Sequence, residues 1–196
     1  MRCCEIVRET GETLVEIKLN IDGEGKSDIS TGVGFLDHML TLFAKHGLFD
    51  LDVKCRGDIE VDFHHTTEDV AIALGQAFAT ALGDKRGINR YGDITLPMDD
   101  ALILSAVDLS GRAYYIGSFE IGKEKVGDFD TELVDEFFCA FAENAKCNLH
   151  IRMLSGKNAH HIIECMFKSV ARSIRRACEL DSRACDKIPS TKGVLS

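Results

Sequence analysis

The sequence predicts an α+β fold made by tandem duplication, with each sheet covered on one face by helices. Three observations predict it. Segments that alternate apolar and polar residues, the period of a half-buried strand, interleave with segments of helical apolar spacing. The pattern replays after roughly 90 residues, too long for a solenoid unit. The motif His-His-x-x-Glu holds the same place in both copies, as His64-His65-Thr66-Thr67-Glu68 and as His160-His161-Ile162-Ile163-Glu164. A unit of this size must bury the face of its own sheet under its own helices. The repeats divide at 1–92 and 93–180, followed by a tail at 181–196.

In the first repeat, Thr13 to Asn20 alternates as a strand, Asp22-Gly23-Glu24-Gly25 turns the chain, and Ser27 to Thr31 supplies a short partner strand. Phe35 to Phe49 has apolar residues at 35, 36, 39, 40, 42 and 43, a helical pattern that carries Asp37-His38. Leu51 to Cys55 and Ile59 to Phe63 alternate as two strands around Gly57-Asp58. Thr66 to Leu82 is a helix, with Gly83 as the residue just past its end. In the second repeat, a strand begins at Asp93 to Thr95 and resumes at Ala101 to Leu109. Ser110-Gly111-Arg112 turns it, and Ala113 to Ile121 returns. A loop covers Gly122 to Gly127, a helix Thr131 to Ala145, a strand Asn148 to Leu154, and a final helix Ala159 to Leu180. Laid over each other, Leu36-Asp37-His38 matches Val134-Asp135-Glu136, so Glu136 is the counterpart of His38.

The chain has 196 residues, 45% of them hydrophobic and 28% charged, which suits a soluble globular protein with a sizeable core. No apolar run reaches the roughly 18 residues of a membrane span. Met1-Arg2-Cys3-Cys4-Glu5 opens no signal peptide, because no apolar region follows it. Eight scattered cysteines without a C-x-x-C pair read as reduced thiols in a cytoplasmic protein, with disulfides as the alternative. A net charge of -9 argues against a general nucleic-acid binder.

The chemistry lies in the repeated motif. Adjacent side chains on a helix point about 100° apart, so a His-His pair does not easily chelate one ion. The Glu follows one His by four positions and the other by three, and so shares a face with each. Such a motif serves two metals. A single copy would read as an ordinary solvated pair; two copies, each before an apolar helix, are not explained by packing. With His38 and Glu136 added, the candidate ligands are His38, His64, His65, Glu68, Glu136, His160, His161 and Glu164. Two six-coordinate ions need about a dozen positions, which leaves some for substrate and water. Imidazole and carboxylate without thiolate suit Mn²⁺, Fe²⁺ or Zn²⁺, and the mixed, high coordination favours Mn²⁺. His46 and His150 lie outside the repeated pattern and read as structural.

Further motifs run nearly end to end: Arg8-Glu9-Thr10 with Glu12, Gly34 to Leu40, Glu68-Asp69, Gly87-Ile88-Asn89-Arg90, Asp108 to Arg112, Gly156 to His161, and Ser190 to Leu195. On these residues the chain resembles the imidazoleglycerol-phosphate dehydratase family of histidine biosynthesis. The resemblance implies a tandem ribosomal S5 domain 2-like fold, a 24-subunit homo-oligomer with active sites between subunits, and two Mn²⁺ per site. It implies that the eight candidate ligands hold the metal. It implies substrate contacts from Glu12, Arg90, Arg112, Ser190, Thr191 and Lys192, together with His38, His64, His65, His160 and His161. For a dehydration of this kind the candidate catalytic residues are Glu12, Glu164 and Glu68, with Glu12 as the base and Glu164 or a metal-bound water assisting departure of hydroxide. Many family members carry His where this chain has Glu136, and a carboxylate ligates the same ions. Arginine forks and a Ser/Lys pair are what a phosphate monoester needs. Without the resemblance the same residues read as solvated turn arginines and a frayed tail. Two other classes use part of this set: a dinuclear phosphate-ester hydrolase, and a metal-storage oligomer that has no need of Arg90, Arg112 or Lys192.

Overall fold

The computed structural model describes residues 2–184 and 187–195. Its two main sheets repeat one topology. Strands β1 (Cys3–Glu9), β2 (Thr13–Asn20), β3 (Ser27–Ser30) and β4 (Asp50–Gly57) lie in the order β1-β2-β4-β3. Strands β5 (Tyr91–Met98), β6 (Ala101–Asp108), β7 (Tyr114–Ser118) and β10 (Asn148–Ser155) lie in the order β5-β6-β10-β7. A small ribbon, β8 (Lys125–Val126) and β9 (Phe129–Asp130), precedes the third helix. Helices α1 (Gly34–Gly47) and α2 (His64–Leu82) belong to the first half, α3 (Leu133–Ala145) and α4 (Ala159–Cys178) to the second. None of the described helices is long and apolar enough to cross a membrane.

The helices form the inner layer. On α1 the buried residues Leu36, Met39, Leu40, Phe43 and Ala44 follow the i, i+3, i+4, i+7 spacing of a single stripe. On β2, Val15, Ile17 and Leu19 point to the same interior. α2 packs on α3 and α1 on α4, so each half covers the other and one core runs through both. Phe43, Phe49, Phe78 and Phe141 form its centre, with ring centroids 5.0–6.2 Å apart and mostly edge-to-face. Gly75 permits the close approach of α2 to α3, because a Cβ there would lie 2.6 Å from the Phe141 carbonyl oxygen. Gly92 does the same for β5 under α4, where a Cβ would collide with the Ser173 carbonyl.

Four details depart from the sequence reading. β1 is an unexpected edge strand, since its inward positions include Arg8 and the apolar alternation is broken there. Ile59 to Phe63 is not a strand. β4 already has β2 and β3 as neighbours, and Asp58 and Asp62 turn instead to the two histidines that follow. β5 and β6 are two arms of a hairpin, and Pro97 is tolerated because β5 is an edge. β3 and β7 pair parallel to β4 and β10 rather than folding back as hairpins. That last feature places the site. Two parallel strands per sheet each lead towards a helix, so the helix N-termini gather at one end of the molecule and the C-termini at the other.

Candidate active site

Two groups of ligand-type side chains form at the helix N-termini, each drawn from both halves. In the first, His38 from α1 meets His160 and Glu164 from α4, with one donor atom from each lying within 4.8 Å of the others. Glu164 Oε2 stands 3.1 Å from His160 Nε2 and 3.7 Å from His38 Nε2. Its other oxygen is 2.5 Å from Lys168 Nζ. Burial pushes the Glu164 carboxyl up, but the Lys168 ammonium and His160 outweigh it and hold it below the ordinary range. In the second group, His64 and Glu68 from α2 meet Glu136 from α3 within the same limit. The imidazole of His64 lies 3.9 Å from the Glu68 carboxylate, one helical turn on. The groups are related by the duplication, with Glu136 standing where His38 stands in the other.

His65 and His161 lie outside both groups. Their rings sit 6.1 and 6.4 Å from those of His64 and His160 and nearly at right angles, as adjacent helical positions require. Each is held by a carboxylate at Nδ1: His65 by Asp58 at 2.9 Å, His161 by Asp100 at 2.7 Å. A proton donated from Nδ1 leaves Nε2 as the lone-pair donor, the form that ligates metal. Asp100 also accepts the backbone N–H groups of Asn158 and Lys157 at 2.9 and 2.6 Å. These bonds and that to His161 hold its carboxyl far below the usual range. Asn158 Oδ1 caps α4 by accepting from His160 N and His161 N, and Asp62 Oδ1 accepts from His64 N. The sequence alone does not single out Asp58, Asp100 or Lys168. The one signal for Lys168 is its i+4 spacing from Glu164; Asp58 and Asp100 are acidic turn residues whose role depends on a tertiary contact. Glu12, in the β1–β2 turn, brings Oε1 to 3.7 Å from His65 Nε2.

A pocket of about 610 Å³ is lined by Arg90, Arg112, Ser190, Thr191 and Lys192. Arg90 is largely committed within the protein. Its Nε and one terminal nitrogen donate to Asp108 at 2.7 and 3.1 Å, and the other donates to the Pro189 carbonyl at 2.9 Å. Two of its five N–H groups remain for a ligand. Arg112 and Lys192 have no carboxylate partner among the described residues. The pocket does not adjoin the histidine groups. Arg90 N donates to Ala177 O near the end of α4, whereas Glu164 lies near its start. At about 1.5 Å of rise per residue, roughly 20 Å of helix separates them.

Fold and site define a duplicated α+β protein with paired imidazole–carboxylate groups at one end and a cationic pocket at the other. Residues 31–174 match the family model described as imidazoleglycerol-phosphate dehydratase. The chain belongs to the imidazoleglycerol-phosphate dehydratase family, and is an enzyme of the lyase class. It is 58% identical over 195 residues to the imidazoleglycerol-phosphate dehydratase of Methylorubrum extorquens, covering 100% of both chains. It is 58% identical over 191 residues to that of Acetivibrio thermocellus, covering 97% of each. The crystal structure of the Staphylococcus aureus dehydratase superposes with a TM-score of 0.84 at 41% identity, over 91% of this chain and 99% of that one. The Pyrococcus furiosus structure gives 0.83 at 35%, over 97% and 100%.

Proposed function

We propose that this enzyme dehydrates D-erythro-imidazole glycerol phosphate to imidazole acetol phosphate in histidine biosynthesis, in the cytoplasm. It would use two Mn²⁺ per site, in a homo-oligomer of 24 chains whose sites form between subunits. The repeats 1–92 and 93–180 would supply the ligands and the tail 181–196 would help close the site. The observation that carries this reading is the split between two three-donor groups and a cationic pocket roughly 20 Å away along α4. A small phosphate ester cannot span that gap within one chain. A second chain presenting its pocket to the first chain's histidines removes the difficulty, and Nε2 of His65 and His161 would complete coordination across the same boundary.

The donors fit the ions. Each group offers three nitrogen or oxygen atoms and no thiolate, half of a six-coordinate shell. His38, His160 and Glu164 would hold one ion and His64, Glu68 and Glu136 the other. Bound divalent cations would lower the pKa of the substrate's ring nitrogens and favour the electron-rich imidazolate. The rest falls to side chains. Arg112, Lys192 and Ser190, with the remaining N–H groups of Arg90, hold the phosphate and fix the substrate's direction. The C–O bond beside the ring breaks, and the oxygen leaves as hydroxide and becomes water with a proton drawn from solvent, which the carboxylates Glu164 and Glu68 would relay. Glu12 takes the proton from carbon 2. The C–H electron pair forms the enol, which becomes the ketone when the carbon beside the ring is protonated.

The test is turnover of imidazole glycerol phosphate by metal-stripped protein with and without added Mn²⁺. Ketone is expected only with Mn²⁺, and inorganic phosphate in neither case. Released phosphate would assign a hydrolase; Mn²⁺ uptake without turnover would assign a storage protein.

A further inference from the structure

We propose that Asp69 is a positioning residue for Glu12, tying the turn that carries the base to the helix that carries the ligands. This rests on the reading of Glu12 as the base. Asp69 follows the candidate ligand Glu68 on α2, yet it points away from both groups and is 6% exposed. Its acceptor positions are all taken. Arg8 donates to Oδ1 from Nε at 3.1 Å and from a terminal nitrogen at 2.8 Å. Thr13 and Thr10 place their hydroxyls on Oδ2, Thr10 at 3.4 Å. A carboxylate accepting four hydrogen bonds has no lone pair left for an ion.

The network continues to Glu12. Thr10 Oγ1 accepts the backbone N–H of Glu12 at 3.2 Å and that of Thr13 at 3.0 Å, and Thr10 N donates to Thr13 O at 2.9 Å. The turn between β1 and β2 is thus knotted on the Thr10 hydroxyl, and that hydroxyl rests on Asp69. Among the described residues no heavy atom lies within 4 Å of where a Cβ on Gly11 would stand, so within one chain the tip of the turn is open. Without Asp69, Glu12 sits at the end of a loose hairpin. With it, Glu12, His64, His65 and Glu68 share one rigid helix as reference. A base must come within about 2.6–3.2 Å of the proton it removes, and a misplacement of about 1 Å costs on the order of 100-fold in rate.

The experiment is a double-mutant cycle in the assembled, Mn²⁺-loaded enzyme. Asp69→Asn is expected to lower kcat about 10- to 100-fold, with KM and bound Mn²⁺ within a few-fold of the parent. In a Glu12→Gln background the same change should have little further effect, because its route of action is already gone. Thr10→Val leaves the Arg8–Asp69 pair in place and should repeat the pattern, which covers the case in which Asp69→Asn does not fold. The proposal is overturned if both variants turn over like the parent, or if they lower the rate by the same factor in both backgrounds, as general loosening would. Near-normal turnover by Glu12→Gln alone would instead remove the base assignment, and the proposal with it.

Discussion

Replacing Glu12 with glutamine is expected to lower kcat by about 100- to 10,000-fold, the range for loss of a general base, with bound Mn²⁺ and KM little changed. Three features of the geometry lead there. Glu12 brings its carboxylate to 3.7 Å from His65 Nε2 and belongs to neither three-donor group. It stands on a turn at the metal end of the chain, away from the cationic pocket. Glutamine keeps the size and shape of the side chain but removes its negative charge and its capacity to accept a proton. Glu68 and Glu164, by contrast, are tied to histidines in the groups, so changing either should empty a metal position first. Steady-state kinetics with parallel metal analysis separates the two outcomes. A Glu12→Gln enzyme that lost its metal would mark Glu12 as a ligand, and one with normal turnover would move the base elsewhere.

The double change Arg112→Ala with Lys192→Ala is expected to raise KM for the phosphate substrate by roughly 100- to 10,000-fold, taking about 1.5–3 kcal/mol for each hydrogen bond to a charged group. These cations line the pocket without a carboxylate partner among the described residues, so their charge is available to an anion. Arg90→Ala should behave differently. It leaves Asp108 without its bidentate partner and also releases the Pro189 carbonyl, so both stability and tail docking should suffer. Inhibition by inorganic phosphate reads the pocket directly: it should weaken in parallel with KM. A normal KM in the double variant would place the phosphate elsewhere.

The fold is legible in the sequence where its periodicities are clean. The stripe Leu36, Met39, Leu40, Phe43 marks α1, and the alternation through Val15, Ile17 and Leu19 marks β2. β1 escapes such a reading because its inward Arg8 serves Asp69 instead of the core. The 59–63 stretch misleads because its alternating apolar residues Ile59 and Val61 are exposed rather than facing a core, and Asp62 accepts the His64 N–H. Eight ligand-type residues are readable because the motif occurs twice, and the structure brings six of them into two groups. The positions of His65 and His161 follow from helix geometry alone. Their carboxylate partners do not: the contact between Asp100 and His161 spans 61 positions of chain, and Asp58 reaches His65 across a turn that the sequence reads as a strand. Nor does local sequence reveal that Arg90 faces Asp108 more than the open pocket.

In the proposed enzyme one chain holds the base and ligands at one end and the phosphate pocket at the other, so that each working site joins two chains. Co-expression of Glu12→Gln chains with Arg112→Ala chains tests this most directly. With substrate well below the KM of the Arg112→Ala chains, each variant alone is expected to show little activity. In mixed oligomers, sites that pair an intact metal end from one chain with an intact pocket from the other should recover activity, up to roughly a quarter of the parent level for random assembly. Mixed oligomers no more active than the two single variants would mean that Glu12 and Arg112 serve the same site from the same chain, and would contradict a site divided between subunits.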